Sequence, residues 1–273
     1  MSDYSQTDLT ARLTHMAELA KTARSITLPL FAHDMDVINK APQANDGSDF
    51  DPVTEADIEG ERAMRTLIMA VFPDDGIEGE ELADIKGKND WLWTLDPIDG
   101  TRAFVAGVPV WSTLIAVSYK GEPVLGLIDV AAMDKQFWGA PGRAWLLQDG
   151  KETPLKTRSC EGQLSKAILG CTEPLAMLND AELAAYDIIR QEVRFSRLGL
   201  DAYGYGLVAA GRMDVIIESL LKPCDVRALM PVITGAGGAL THWDGGSAVD
   251  GGRVVAVGDK ALLPELYEKL SGA

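Results

Sequence analysis

Residues 91 to 104 read Trp-Leu-Trp-Thr-Leu-Asp-Pro-Ile-Asp-Gly-Thr-Arg-Ala-Phe, and they constrain the chain more than any other stretch. An apolar, β-prone run from Trp91 to Leu95 ends at Asp96, and Pro97 is expected to break the ladder there. Asp99 follows three residues after Asp96, and Gly100-Thr101 opens a short helical segment. Two hard carboxylates on one tight turn suit an oxygen-ligated divalent cation such as Mg2+. The Asp99-Gly100-Thr101 turn would also aim backbone N–H groups outward, as a helix N-terminus does when it holds a phosphate. Metal and phosphate seats on one loop point to metal-assisted phosphoryl chemistry.

Asp-Pro and Asp-Gly are also ordinary turn formers, and most such pairs only reverse the chain. Two further acidic sites shift the balance. Gly79-Glu80-Glu81 follows the turn-like Pro73-Asp74-Asp75-Gly76, and Lys222-Pro223-Cys224-Asp225-Val226-Arg227 opens a helix far downstream. Three acidic loops, each beside an apolar segment, exceed what turn chemistry requires.

The joint pattern resembles the inositol monophosphatase superfamily of Mg2+-dependent phosphomonoesterases. Asp96-Pro97-Ile98-Asp99-Gly100-Thr101 matches its first signature, and Gly79-Glu80-Glu81 its acidic loop. Cys224-Asp225-Val226-Arg227-Ala228-Leu229, followed by Gly235-Ala236-Gly237-Gly238, is similar to its second signature. Pro52-Val53-Thr54-Glu55-Ala56-Asp57 resembles its Thr-x-x-Asp segment, although Thr54 and Asp57 also have capping-box spacing. The matches run in order from about residue 50 to about residue 258 and cover most of the chain.

That resemblance implies an α+β fold, a layered αβαβα sandwich of the inositol monophosphatase/fructose-1,6-bisphosphatase type with the site between two lobes. Residues 1–150 are expected to form an α+β lobe carrying most metal ligands. Residues 151–273 would form an α/β lobe carrying Asp225 and the substrate contacts, with a soft boundary near 145–160. The periodicities agree. Helices are expected over about 7–33 and 55–71. Strands follow at Trp111 to Tyr119, Val124 to Val130, Gln136 to Gly139 and Ala144 to Gln148. Beyond 150, strands near 166–171, 193–197, 213–218 and 253–257 alternate with helices near 181–191, 201–211, 225–236 and 261–270. Residues 41–51 form a polar loop.

The resemblance also implies residue roles. Glu80, Asp96, Asp99, Asp225 and the Ile98 carbonyl would ligate two or three Mg2+ ions. Glu80 and Thr101 would orient and deprotonate a metal-activated water, and Asp57 would reach a further, weaker ion through water. The backbone N–H groups of Gly100 and Thr101 would hold the phosphate. A phosphorylated aspartate fits less well, because Pro97 and the remote Asp225 suit a metal cage better. His15, His33 and His242 share no metal or triad spacing, and Cys160, Cys171 and Cys224 are expected to be buried fillers. Gly235-Ala236-Gly237-Gly238 is expected to be a helix C-cap and turn.

Within the superfamily, Gly100-Thr101-Arg102 followed by Phe104, Gly107 and Pro109 resembles the branch containing histidinol-phosphate phosphatases. So do Asp201-Ala202-Tyr203-Gly204-Tyr205-Gly206-Leu207 and Lys222-Pro223-Cys224-Asp225, with Cys224 where an aromatic is usual. The implied substrate is L-histidinol phosphate, hydrolysed in histidine biosynthesis. Its cationic groups would want carboxylates, and Asp201 and Glu218 are the candidates. Asp201 reads equally as a helix N-cap; Glu218 could be a solvated strand end, but its position in the resemblance favours a role in the site. Arg102 would pair with phosphate or with an acidic ligand. The family's upstream Lys corresponds at best to Lys40. Myo-inositol monophosphate and a nucleotide 3′-phosphate are rival substrates, and a catalytically idle metal-binding scaffold is the rival class.

A formal net charge of −16 disfavours nucleic acid as a partner. No stretch reaches the roughly eighteen consecutive apolar residues of a spanning helix, so no membrane partner is expected. The start of the chain lacks a basic, apolar leader, and three cysteines without metal spacing fit a reducing, cytoplasmic setting. The partner is a small-molecule phosphate ester, and the resemblance implies a homodimer.

Overall fold

The computed structural model describes residues 4–31, 38–39, 52–53 and 55–272. Lys40, the loop 41–51, Thr54 and His33 lie outside the described residues, so the polar-loop and capping-box expectations fall there too. Two helices come first, α1 (Gln6–Leu30) and α2 (Glu55–Val71), with a small antiparallel ladder of β1 (Ile38–Asn39) and β2 (Pro52–Val53) between them in sequence. Seven strands follow: β3 (Gly76–Gly79), β4 (Trp91–Asp99), β5 (Ser112–Tyr119), β6 (Glu122–Val130), β7 (Lys135–Ala140), β8 (Arg143–Gln148) and β9 (Lys151–Pro154). They form one sheet in sequence order; β3 and β4 run parallel, and every later pair is antiparallel. The short helix α3 (Thr101–Val105) follows β4 directly.

The second half builds a five-stranded sheet from β10 (Ile168–Cys171), β11 (Phe195–Leu198), β12 (Val215–Leu221), β13 (Ala239–His242) and β14 (Gly252–Val257), ordered β11-β10-β12-β14-β13. Its helices are α4 (Pro174–Met177), α5 (Asp180–Glu192), α6 (Asp201–Ala209), α7 (Pro223–Arg227), α8 (Leu229–Gly235) and α9 (Leu263–Leu270).

Strand periodicity assembles these elements into five layers. Ile115 and Val117 of β5 point into the core that Met16, Leu19, Met64 and Ile68 of α1 and α2 complete. Leu114 and Ala116 point the other way, against Tyr205 and Val208 of α6 and Val232 and Ile233 of α8. In the second sheet Ile216 and Ala256 close that middle core, whereas Val215, Ile217 and Val257 face Tyr186 and Ile189 of α5 and Leu266 of α9. The order is therefore helices, sheet, helices, sheet, helices, the expected αβαβα sandwich.

The middle layer is held by close backbone approach. A side chain at Gly126 would collide with the Ala228 carbonyl, and one at Gly139 with the Pro231–Val232 peptide. The strands β6 and β7 therefore admit α7–α8 at a distance that only glycine permits.

Several expectations need correction. Pro97 does not break the ladder: β4 runs on to Asp99, and the register with β5 shifts between Asp96 and Asp99. Its free carbonyl accepts the Thr113 hydroxyl at 2.7 Å. The expected helix 225–236 is two helices meeting at Ala228. Strands β3, β9 and β13 and helix α4 are additional. Ala236 caps α8, and the N–H groups of Gly237 and Gly238 donate to Thr234 and Ile233 carbonyls, so the Gly-rich stretch is the expected C-terminal turn.

Candidate functional site

The end of β4, the start of α3, the first turn of α6, the end of β12 and the start of α7 converge on one cleft of about 810 Å3. That size suits a small-molecule ligand. Its walls include Glu80, Asp96, Ile98, Asp99, Gly100 and Thr101 from the first sheet's side. Asp201, Tyr205, Glu218, Lys222 and Asp225 come from the other. All the residues expected to ligate metal or phosphate thus meet in one place.

Local chemistry explains how each is held. Asp96, buried, accepts the Ile98 N–H at 3.0 Å across the bulge that Pro97 creates. The Thr101 hydroxyl donates to the Ile98 carbonyl at 3.1 Å, which ties the start of α3 to the strand end. Asp99 accepts the Ala202 N–H at 2.9 Å and faces the Ser112 hydroxyl at 3.4 Å. Asp225 accepts the Lys222 N–H at 2.7 Å, closing the first turn of α7. Carboxylate oxygens of Asp96, Asp99 and Asp225 lie within 4.8 Å of one another, and so do ligand atoms of Glu80, Asp96 and Cys224. The two groups share Asp96.

Such crowding raises proton affinity. Burial first, then the charges of Glu80, Asp99, Asp225 and Asp57, pushes Asp96 well above the ordinary carboxylate range. Asp99 is raised by burial and by Asp201 and Asp225. Burial lifts Asp225 to about 6, opposed mainly by the Lys222 N–H. A cluster that resists its own ionisation, built from hard oxygen donors, fits a small divalent cation as the group that would neutralise it. The ammonium of Lys222 already pairs with Glu80 at 2.9 Å.

A family profile for inositol monophosphatases matches residues 8–272, nearly the whole chain. The chain belongs to the inositol monophosphatase family. As a member it is a phosphatase, a hydrolase, and the acidic groups above are where it could hold metal. Among curated relatives, "Bifunctional phosphatase IMPL2, chloroplastic" of Arabidopsis thaliana is 39% identical over 98% of this chain and 78% of its own. A protein named histidinol-phosphatase from Chlorobaculum parvum is 32% identical over 90% of this chain and 91% of its own. An inositol monophosphatase structure from Zymomonas mobilis covers 98% of this chain and 100% of its own, with a TM-score of 0.82 and 35% identity.

The remaining site candidates of this phosphatase occupy distinct places. Asp57 is buried on α2 and adds charge behind Asp96, but it does not line the cleft. Asp201 is not an N-cap: Leu200 occupies that position, and Asp201 is the first helical residue, with φ of 47°. Burial raises Asp201 to about 6, while the Arg102 charge lowers it. Glu218 is no solvated strand end. It is buried within β12, accepts the Tyr205 hydroxyl and the Thr172 N–H at 2.7 Å each, and is raised by burial to about 7.

Other contributors escaped the sequence reading. On α2, buried Glu61 accepts the N–H groups of Glu81 and Leu82 at 2.8 and 3.2 Å. Arg65 pairs with Glu61 and donates to the Leu82 and Ala83 carbonyls. Together they clasp the loop that carries Glu80. Their i,i+4 spacing was the available signal, but it looks the same on a solvated helix. Arg227 bridges to Glu78 and to Thr94, tying α7 to β3 and β4. His15 packs edge-on against Phe72 and Trp93, and His242 pairs with Asp244, so neither belongs to the cleft. Cys160 and Cys171 are buried in the outer core, as expected of fillers. Cys224 differs in lining up with the ligand atoms.

Proposed function

We propose that this chain hydrolyses L-histidinol phosphate with Mg2+ held by Glu80, Asp96, Asp99, Asp225 and the Ile98 carbonyl. The observation that carries the substrate is the second acidic pair. Asp201 and Glu218 stand in the same cleft as the ligand cluster, where a leaving alcohol bearing an ammonium and an imidazole would find charge partners. An inositol ring could use these carboxylates only as acceptors for its hydroxyls, without the charge pairing open to a cationic leaving group. Relatives named histidinol-phosphatase at 31–34% identity support the same substrate.

The all-oxygen group of Asp96, Asp99 and Asp225 suits Mg2+; Glu80 with Asp96 offers further oxygen donors beside it, where the Cys224 thiol is too soft to count as a magnesium ligand. Bound there, Mg2+ would supply Lewis acidity and an activated water. The chain's own residues do the rest. Glu80 and Thr101, both on the cleft wall, would orient the attacking water, with Glu80 taking its proton. The Gly100 and Thr101 N–H groups, at the start of α3, orient the phosphate. Asp57 adds negative charge behind the seats. The Arg102 charge opposes the effect of burial and favours the ionised form of Asp201.

Phosphate release with Mg2+ should be measured on histidinol phosphate, inositol 1-phosphate, adenosine 3′,5′-bisphosphate and fructose 1,6-bisphosphate. A kcat/KM for histidinol phosphate about 100-fold above the others, roughly 2.7 kcal/mol of discrimination, is expected. Comparable rates on inositol 1-phosphate would overturn the substrate and keep the phosphatase. Asp96→Asn should abolish turnover with the fold intact; near wild-type activity would remove the ligand assignment.

A further inference from the structure

Leu220 combines three features that the fold alone does not require. Its φ is 64°, in the left-handed region that a branched side chain occupies only at a cost. It lies where β12 slips register against β14, between Glu218 and Leu221. Its side chain is 72% exposed although large and apolar. Glycine or asparagine would satisfy the same backbone without the strain or the exposure. Strain of this kind persists where the surroundings use it.

The bulge decides where that side chain goes. Ile217 enters the outer core and Glu218 stays buried at the cleft. The slip then brings Leu220 to the cleft wall, which also includes Val108, Ala176 and Met177. The cleft is therefore acidic where Asp96, Asp99 and Asp225 meet and apolar where Leu220 stands.

We propose that Leu220 is a specificity-determining residue: its side chain packs on the hydrocarbon or ring portion of the alcohol that leaves the phosphate ester. The cleft thereby favours apolar-bodied leaving groups over polyhydroxylated ones. This rests on the phosphatase reading of the cleft. Because Leu220 is exposed in the free protein, its apolar surface is removed from water only when a leaving group covers it.

The test compares the full chain with its L220G, L220N and L220M variants, with Mg2+, on 2-phenylethyl phosphate and glycerol 2-phosphate. The quantity read is the ratio of the two kcat/KM values, beside the thermal midpoint. The ratio should fall about tenfold in L220G and L220N, the scale of losing one apolar contact, and hold within about twofold in L220M. Midpoints of L220G and L220N should equal or exceed that of the wild type, since both residues suit the backbone. An unchanged ratio in L220G and L220N overturns the inference. So does a ratio that falls only with a falling midpoint, because that marks a structural role. If the wild type releases phosphate from neither these esters nor histidinol phosphate, the phosphatase reading fails first and takes the inference with it.

Discussion

Asp99, at the end of β4, accepts the backbone N–H of Ala202, in the first turn of α6, at 2.9 Å. A ligand candidate of the first sheet is thus tied to the helix that carries Asp201. Between them the chain turns at Gly100, whose φ is 80° and whose added Cβ would stand 2.9 Å from the Asp201 Cγ.

Gly100→Ala should therefore damage both fold and site. The left-handed backbone alone costs about 1–2 kcal/mol for a residue with a Cβ, and a midpoint drop of about 2–6 °C is expected. Displacement of Asp201 should lower kcat/KM more than tenfold. Calorimetry and steady-state kinetics check this; a variant unchanged in both would mean the turn has room to spare.

Stability of the metal-free protein should fall as pH rises. Asp201 and Asp225 are raised to about 6 and Glu218 to about 7, from ordinary values of 3.8 and 4.5. Between about pH 4 and pH 7 the folded state therefore binds more protons than the unfolded chain. The stabilisation is complete below the ordinary values and is lost as pH passes the raised ones. Thermal midpoints in a chelator should be higher at pH 5 than at pH 8, and Mg2+ should restore stability at pH 8. A midpoint that rises with pH in the chelator would contradict the burial described for these carboxylates.

Lys222→Met should tighten divalent binding. The Lys222 ammonium shares Glu80 with any ion seated there, and the lysine side chain is half exposed, so the pair is worth at most about 1 kcal/mol. Removing it should lower the Mn2+ dissociation constant up to about fivefold by paramagnetic resonance titration. Weaker binding would show that Lys222 holds Glu80 in place for the ion.

Arg65→Met should loosen the acidic loop from a distance. Glu61 would stay buried without its partner, a loss of about 3–5 kcal/mol. The Leu82 and Ala83 carbonyls would lose their donor. A lower midpoint and weaker Mn2+ binding are expected together. Weaker stability with unaltered Mn2+ affinity would confine the clasp to folding.

The turn that carries Asp96 and Asp99 was legible because it is written locally, in an apolar run, two aspartates three residues apart and a Gly-Thr pair; that Glu80 and Asp225 share its cleft was expected only from the family resemblance, and the register shift at Pro97 was not foreseen. The layering was legible from alternation, as in Leu114 and Ile115 facing opposite cores. Burial of charge was not. A solvated strand end stayed open for Glu218 because its partners, the Tyr205 hydroxyl and the Thr172 N–H, come from other elements of the fold. Asp201 reads as an N-cap by composition, but Leu200 takes that position. Strand β9, Lys-Glu-Thr-Pro, is exposed throughout and carries no apolar signal. Arg65 looks like any solvated helix cation until the loop 81–83 folds over it.

The contact of Gly126 and Gly139 with α7 and α8 has a mechanical consequence. Backbone lies on backbone there, at Ala228 and at Pro231–Val232 of α8, and Asp225 sits on α7, three residues before Ala228. The two sheets are then poor candidates for hinging or sliding about the cleft. Discrimination among esters must come from a shape already present when the ligand arrives, and what movement the reaction needs falls to side chains such as Lys222 and Leu220.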